Sequence, residues 1–317
     1  MANNAFLKPE VIANAAVGML ERELILSNLV WTSHGLDFTG AKNDTVSLRI
    51  PSRLTARTFP WRDDRSSSSI VLDNLAEDSV SVSLSKDIYS AVAITDEELT
   101  LDISDFGTQV LDPQVRAVAA YLDAQVAAMI EGAAYGAEGV GTVTILEADG
   151  QNAALNGITR ARTLLNKNDV PQEGRTLLVG ADFEEALLSG STLLDVSQSG
   201  SDGALREATI GRIRGFNVVT SNAIDSLSAY AFVPSAFLLA TRAPAIPSGA
   251  TFGAGASFAG YSMRWIRDYD ASKLRDRSIV NAYAGTKVML DQPTPGDTVG
   301  TKTLQRAVKL VLTPDEG

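Results

Sequence analysis

Alternating polar and apolar residues predict a strand pair in the first third of the chain. Thr45–Ile50 reads Thr-Val-Ser-Leu-Arg-Ile, and the short run Ile70–Leu72 and Val80–Leu84 are also typical of strands. We expect a long two-stranded arm. Its charged tip carries Trp61, Arg62, Asp63, Asp64 and Arg65. Because a two-stranded hairpin is at best marginally stable alone in water, the arm needs a surface to lie on, and a neighbouring copy of the same protein would supply one.

Apolar residues at helical spacing predict an amphipathic helix from Pro9 to about Ser27 and a longer one from Asp112 to Gly136. The apolar face of the first helix must be covered, either by its own domain or by a neighbour. In the second, Asp112 fits the N-cap and Pro113 the first turn, and Gly136 is the expected end. We call this second helix the spine, because strands can pack along its continuous apolar face.

A capping box precedes the spine. Thr95 and Glu98 have the spacing at which each side chain accepts a hydrogen bond from the other residue's backbone N–H. Asp96 and Glu97, with Asp102 and Asp105 further along the chain, also suggest a calcium site. The spacing and central glycine of an EF-hand loop are absent, so helix capping is our interpretation.

Strand and helix patterns alternate from Asn152 to about residue 250, which predicts an α/β unit. Within it, Gly211 and Gly215 flank Ile213 and Phe216 and suit a tightly packed turn. That turn packs either inside the unit or against a neighbouring subunit. The Gly/Ala/Pro-rich segment 243–260 is interpreted as a linker, and further strands follow it.

Composition is that of a soluble globular protein. The chain has 317 residues, of which 45% are apolar and 21% charged, and its apolar runs are too short to cross a bilayer. Its net charge is −11, so the chain lacks the basic character expected of a nucleic-acid-binding protein. We therefore interpret the arginine pairs as solvated or subunit-contacting faces. No signal peptide is expected, and the absence of cysteine excludes disulfides and thiolate sites.

Candidate catalytic chemistry is sparse. The single histidine, His34, has no G-x-S-x-G serine to form a triad with. Ser83–Lys86 has an S-x-x-K form but lies in strand-like sequence. Gly253–Gly260 has Phe258 where a G-x-G-x-x-G loop needs its third glycine. We expect no enzyme activity, cofactor or metal, although a small-molecule enzyme built on residues 152–250 stays an alternative.

Several segments, in this order, resemble a known family. They are Phe6–Ile12, Ile94–Ile103, Gly211–Val218 and Tyr269–Arg277 with Tyr283–Gly285 after it. The chain is similar to tailed-bacteriophage major capsid proteins of the Hong-Kong-97-type fold, and in particular to the coat proteins of Salmonella podoviruses. The implied fold class is α+β, with an N-terminal arm, an extended hairpin loop, a peripheral domain containing the spine and an α/β axial domain.

This resemblance implies boundaries and partners. The arm would be residues 1–35, the extended loop 40–85, the peripheral domain 86–150 with 255–317, and the axial domain 152–250. Copies would form hexameric and pentameric capsomers of an icosahedral virion shell around double-stranded DNA, assembled in the host bacterial cytoplasm. Scaffolding, portal and decoration proteins would be partners. An encapsulin-like compartment, which shares the fold, is the main alternative. Besides the arm tip and the glycine turn, the interface candidates are Arg275, Asp276 and Arg277.

Overall fold

The structure is a computed structural model, and it describes residues 9–32, 45–50, 56–58, 61, 70, 72, 78–98, 106–146, 150, 152–190, 211–250, 252–258, 260–291 and 302–313. The helices are α1 (Pro9–Glu23), α2 (Asp112–Glu131), α3 (Ala153–Lys167) and α4 (Ala181–Leu188). The strands are β1 (Trp31–Thr32), β2 (Thr45–Ile50), β3 (Asp78–Ser83), β4 (Lys86–Thr95), β5 (Thr142–Leu146), β6 (Thr176–Val179), β7 (Arg212–Ile213), β8 (Phe216–Thr220), β9 (Ser228–Phe232), β10 (Phe237–Arg242), β11 (Phe252–Phe258), β12 (Tyr261–Asp270), β13 (Arg275–Val288) and β14 (Ala307–Thr313).

The first sheet is organised around β13. Its strands run in the order β1-β10-β13-β12-β11, and β4 also pairs with β13. The spine helix α2 packs on this sheet through its apolar stripe and one buried polar residue, Gln114. The Gln114 amide donates to the carbonyl of Ser278 at 2.9 Å and to that of Ser90 at 3.1 Å. The Ser278 hydroxyl donates to Gln114 Oε1 and accepts from the Trp265 indole. These bonds fix the spine against β4, β12 and β13, since unpaired buried polar groups are costly.

The second sheet has the order β5-β14-β9-β6-β8-β7 and carries α3 and α4 on one face. Central β6 is buried at all four positions; Leu177 packs toward α3 and α4, and Leu178 toward the core of the first sheet. The two sheets do not follow the expected domain boundaries, because β5 and β14 of this second sheet lie outside residues 152–250. Strand β10, from inside that range, belongs to the first sheet. The domain boundaries themselves stay predictions.

Helix α1 is covered by its own chain. Ala13, Ala16, Val17 and Leu20 are at most 1% exposed, and they pack in the core with α2 and with β11 and β12. Asp123 of α2 holds the segment after α1: its carboxylate accepts the backbone N–H groups of residues 25–27 at 2.8–3.2 Å and the Ser27 hydroxyl at 2.6 Å. Of the two ways to cover α1, the structure uses its own domain.

Several boundaries correct the sequence expectations. Asp112 has helical backbone angles and bonds back to Gly107, because a π-helical turn, Gly107–Leu111, runs directly into α2. Asp112 is therefore inside the helix and not its N-cap. A π turn suits this position because Pro113 has no N–H to donate. The helix ends at Glu131, before the expected Gly136.

Two further corrections lie in the second half of the chain. The expected linker 243–260 contains a strand, β11, which pairs with β12 over seven residues from Phe252 to Phe258. The sequence also suggests Asp182 as the N-cap of a short helix that ends at Leu188, but Asp182 lies inside α4, whose N-cap is Gly180. In the described part of the chain, no helix combines the length and apolar character needed to cross a membrane.

Candidate subunit interface

The predicted hairpin is present. Strands β2 and β3 pair antiparallel from Thr45 opposite Ser83 to Ile50 opposite Asp78, with residues 51–77 between them. Its base is fixed to the first sheet, because Val80 and Val82 are buried against Leu238, Ala240 and Met289. A close backbone approach adds to this anchor: a Cβ at Gly285 of β13 would overlap the carbonyl oxygen of Ser83.

Beyond its base, the arm exposes large apolar side chains. Trp61 is 90% exposed, Ile70 70% and Leu72 83%. The other tip candidates, Arg62, Asp63, Asp64 and Arg65, lie outside the described residues, as does His34. Ser83 ends β3 and Lys86 begins β4, so the S-x-x-K match lies on strands and cannot place its serine at the start of a helix. Exposed aromatic and aliphatic side chains on a projecting arm are typical of a contact surface.

The second predicted group lies at the start of β13, next to the turn that joins this strand to β12. Asp276 is buried and accepts from Arg267 Nε at 3.0 Å, and Arg277 pairs with Asp268 at 2.6 Å. The Arg275 Nε is buried without a hydrogen-bond partner among the described residues. Leu274, at the tip, is 63% exposed.

Two ionisable groups close to this turn are held by hydrogen bonds. The Tyr269 hydroxyl donates to Asp96 at 2.9 Å, and this bond raises the pKa of Tyr269. The Ser272 hydroxyl donates to Asp270 at 2.5 Å, which lowers the pKa of Asp270. Nearby, the capping box is confirmed, since Thr95 N–H donates to Glu98 at 2.9 Å and Glu98 N–H to the Thr95 hydroxyl at 3.3 Å. Asp96 thus belongs to a capped turn bound to the β12–β13 hairpin.

The predicted glycine turn is a two-residue hairpin between β7 and β8. Arg214 and Gly215 have φ values of 47° and 91°, and Gly211 has a φ of 60°. Positive φ at both central positions matches the twist of a hairpin, and glycine adopts it without strain. Phe216 is fully buried and Ile213 nearly so, both in the core beneath α3 and α4. The apolar side chains of this turn therefore pack inside the unit, which is the first of the two expected alternatives. Phe216 is not available to a neighbour.

One exposed surface was missed from the sequence. On β4, Tyr89 is 70% and Val92 40% exposed, and β4 is an edge strand paired only with β13 among the described strands. The alternation of polar and apolar residues that predicts β3 also runs through β4, but the small side chains of Ala91 and Ala93 make this pattern weaker. Edge strands with exposed apolar residues are available for contact with another chain.

Within the part of the chain that the structure describes, no group of three or more His, Cys, Asp or Glu side chains is placed to hold a metal ion. The carboxylates described above are bound to hydroxyl, amide or guanidinium groups of the same chain.

The family model named phage capsid protein matches residues 79–294, from β3 to just beyond β13. The chain belongs to the phage capsid protein family. It is a capsid shell protein, and hence a structural component of the virion. The match favours this function over an encapsulin-like compartment. No curated protein sequence matches the chain.

Solved capsid structures share the fold of this capsid protein. The structure titled Mycobacterium phage Che8 is similar with a TM-score of 0.63 and 20% identity, covering 90% of each chain. The capsid of cyanophage P-SCSP1u is similar with a TM-score of 0.60 and 13% sequence identity, and the match covers 99% of this chain and 91% of that one. The mature capsid of bacteriophage PhiM1 is similar with a TM-score of 0.59 and 10% sequence identity, and the match covers 90% of each chain. The α+β Hong-Kong-97-type fold is thereby confirmed, and the Salmonella podovirus branch stays a prediction.

Proposed function

We propose that this capsid protein forms the icosahedral shell of a tailed phage by assembling into hexameric and pentameric capsomers around double-stranded DNA. The observation that carries the proposal is the hairpin arm, whose base is buried in its own sheet while Trp61, Ile70 and Leu72 remain exposed. Covering those side chains with a second copy buries apolar area that the subunit alone leaves in water.

The receiving surface is the exposed face of β4 on the neighbouring copy. Tyr89 lies there with the exposed Ala91 and Ala93, since alternate residues of a strand share a face, and the strand has a free edge among the described pairings. An aromatic pair of Trp61 with Tyr89 would contribute beyond its buried area, since such pairs add about 0.5–1.5 kcal/mol. The tip charges Arg62–Arg65 and the start of β13 at Arg275–Arg277 are the further interface candidates.

Partners and location follow from the same proposal. Assembly takes place in the host bacterial cytoplasm, with scaffolding and portal proteins and, in some shells, a decoration protein. The DNA is enclosed without sequence-specific contacts, in keeping with the net charge of −11. Residues 1–35, 40–85, 86–150 with 255–317 and 152–250 serve as arm, extended loop, peripheral and axial domains. No catalytic reaction is assigned to the 152–250 unit.

Electron microscopy of the purified protein tests the proposal, with closed shells as the expected result. Deleting residues 57–69 should leave a soluble, folded subunit that forms no closed shells, because the deleted residues lie beyond the buried base. Trp61→Ala is the finer variant, and we expect it to reduce shell yield while circular dichroism stays unchanged. Closed shells of normal yield from the deletion variant would refute the role of the arm.

A further inference from the structure

The described arginines differ in whether they contact a carboxylate of the same chain. Arg116, Arg267, Arg277 and Arg306 each contact a carboxylate of the same chain. By contrast, Arg162, Arg212 and Arg214 make no contact with any described carboxylate. We call these three residues the arginine turn. Such a cluster is an unbalanced positive patch on a strongly acidic protein.

The arginine turn is held in place by the backbone. Arg212 and Arg214 belong to the β7–β8 hairpin at the edge of the second sheet, and both are exposed. Arg162, from α3, donates to the carbonyl of Arg214 at 3.0 Å and covers Gly215. The three cations are therefore gathered at the end of the sheet where β8 begins.

The other end of β8 is acidic. Helix α4 follows β6, which is parallel to β8, so its first turn lies near Thr220, where β8 ends. Asp182, Glu184 and Glu185 are carried there, and we call them the α4 acidic face. Ser226 donates to Asp182 at 2.5 Å and Thr220 to Glu184 at 2.8 Å, whereas no described cation contacts the three carboxylates. Four residue steps of β8 place the two patches about 13 Å apart.

Patches of opposite charge at the two ends of one strand suit a head-to-tail contact between copies. A closed ring of identical subunits can use a heterologous interface, in which two different patches of one subunit meet those of its neighbours. Copies with a net charge of −11 repel each other, so an interface between them needs a local positive patch on one side. A second copy is thus the occupant that the charges favour.

We propose that the arginine turn of one copy contacts the α4 acidic face of the next copy around a capsomer. This inference rests on the proposed assembly into rings and identifies the residues that meet. The contact consists of exposed pairs, each contributing little, so it selects the register of neighbouring subunits and speeds their association.

Charge reversal tests the contact. R212E/R214E should need roughly tenfold more protein for half-assembly at low salt, because several weak attractions become repulsions. The matched control is K167E/K287E, which makes the same change in net charge at two exposed positions outside the arm, β4 and both charged patches, and should assemble like the wild type. Adding D182K/E185K to R212E/R214E should restore assembly. Circular dichroism checks folding, and R212Q/R214Q replaces the double glutamate if that variant does not fold.

Each outcome of this experiment supports or overturns the proposed contact. Wild-type protein that forms no shells refutes the proposed function and the contact that rests on it, whereas shells from the wild type support the proposed function and let the charge-reversal comparison decide the contact. Normal assembly of R212E/R214E, an equal defect in K167E/K287E, or failure of the fourfold variant to recover would each overturn the proposed contact. Shells of normal yield with less nucleic acid inside would overturn it in favour of binding to the packaged polyanion.

Discussion

Single residues fix where the arm leaves the subunit, and Gly285 is the sharpest example. A methyl group there would overlap the carbonyl oxygen of Ser83, and both backbones are held by strand pairing, Gly285 opposite Ala240 of β10 and Ser83 opposite Thr45 of β2. We expect Gly285→Ala to lower the free energy of unfolding by about 1–3 kcal/mol.

The matched control is Gly18→Ala in α1, where nothing lies within 4 Å of an added Cβ. Replacing glycine by alanine inside a helix raises stability by about 0.5–1 kcal/mol. Urea denaturation of both variants measures the contrast, and a Gly285→Ala protein as stable as the wild type would contradict the close approach.

Asp123 is the second decisive residue, because one carboxylate accepts three backbone N–H groups and a hydroxyl. Asp123→Ala leaves those donors unpaired and should cost about 2–3 kcal/mol. Asp112→Ala, on the same helix, removes only an exposed pair with Arg116 and should cost less than about 1 kcal/mol. Chemical denaturation compares the two. Equal losses would show that the Asp123 bonds add nothing beyond a surface ion pair.

At the scale of elements, the end of the spine helix is joined to the second sheet by two tyrosines. The rings of Tyr135 and Tyr230 lie 5.7 Å apart, and Glu131 accepts the backbone N–H of Asp225 at 2.6 Å. Burial raises the pKa of Tyr230 to about 12, and the carboxylate of Glu131 adds to this. Burial also raises the pKa of Tyr135 well above its ordinary value, with further increases from Tyr230 and Glu131.

These shifts predict how stability depends on pH. Between pH 10 and about 12 the unfolded chain loses these phenolic protons while the folded chain keeps them. The unfolded state then binds fewer protons, so the free energy of unfolding falls as the pH rises through this range and is unaffected below it. Urea denaturation at pH 9 and pH 11, with tyrosinate absorbance in the native protein, measures the effect. Tyr135→Phe should flatten the fall; an unchanged slope would contradict the assignment.

Most elements were predictable where the pattern was local. The stripe of α2 and the alternation of β2 and β3 identify those elements because each buries one face. Strand β11 was missed because Gly253–Ala256 has poor strand propensity and is held in place by β12 and α1. The partners of Arg267 and Arg277 could not be predicted either. They depend on the β12–β13 register, which only the folded chain fixes.

For the whole molecule, the N-terminal helix and the hairpin arm have opposite roles. Deleting residues 1–26 removes Leu20, Leu24, Leu26 and the small residues packed beside them from the core. Each large-to-small loss in a core costs about 2–5 kcal/mol, so the sum exceeds the stability of an ordinary domain. We expect insoluble protein from this deletion, in contrast to the soluble 57–69 deletion. Sedimentation and circular dichroism compare the two, and a folded 1–26 deletion would show that α1 is dispensable for the subunit.

Helix α1 packs on β11 and β12, and it is synthesised long before these strands, which cover it. The first helix leaves the ribosome early, but the strands it packs on are encoded more than two hundred codons later. At about 5–20 residues per second, its apolar stripe stays without these strand partners for on the order of tens of seconds, with only α2 available to cover part of it. During translation at high yield in an infected cell, that uncovered stripe is the segment on which a chaperone would have most time to act.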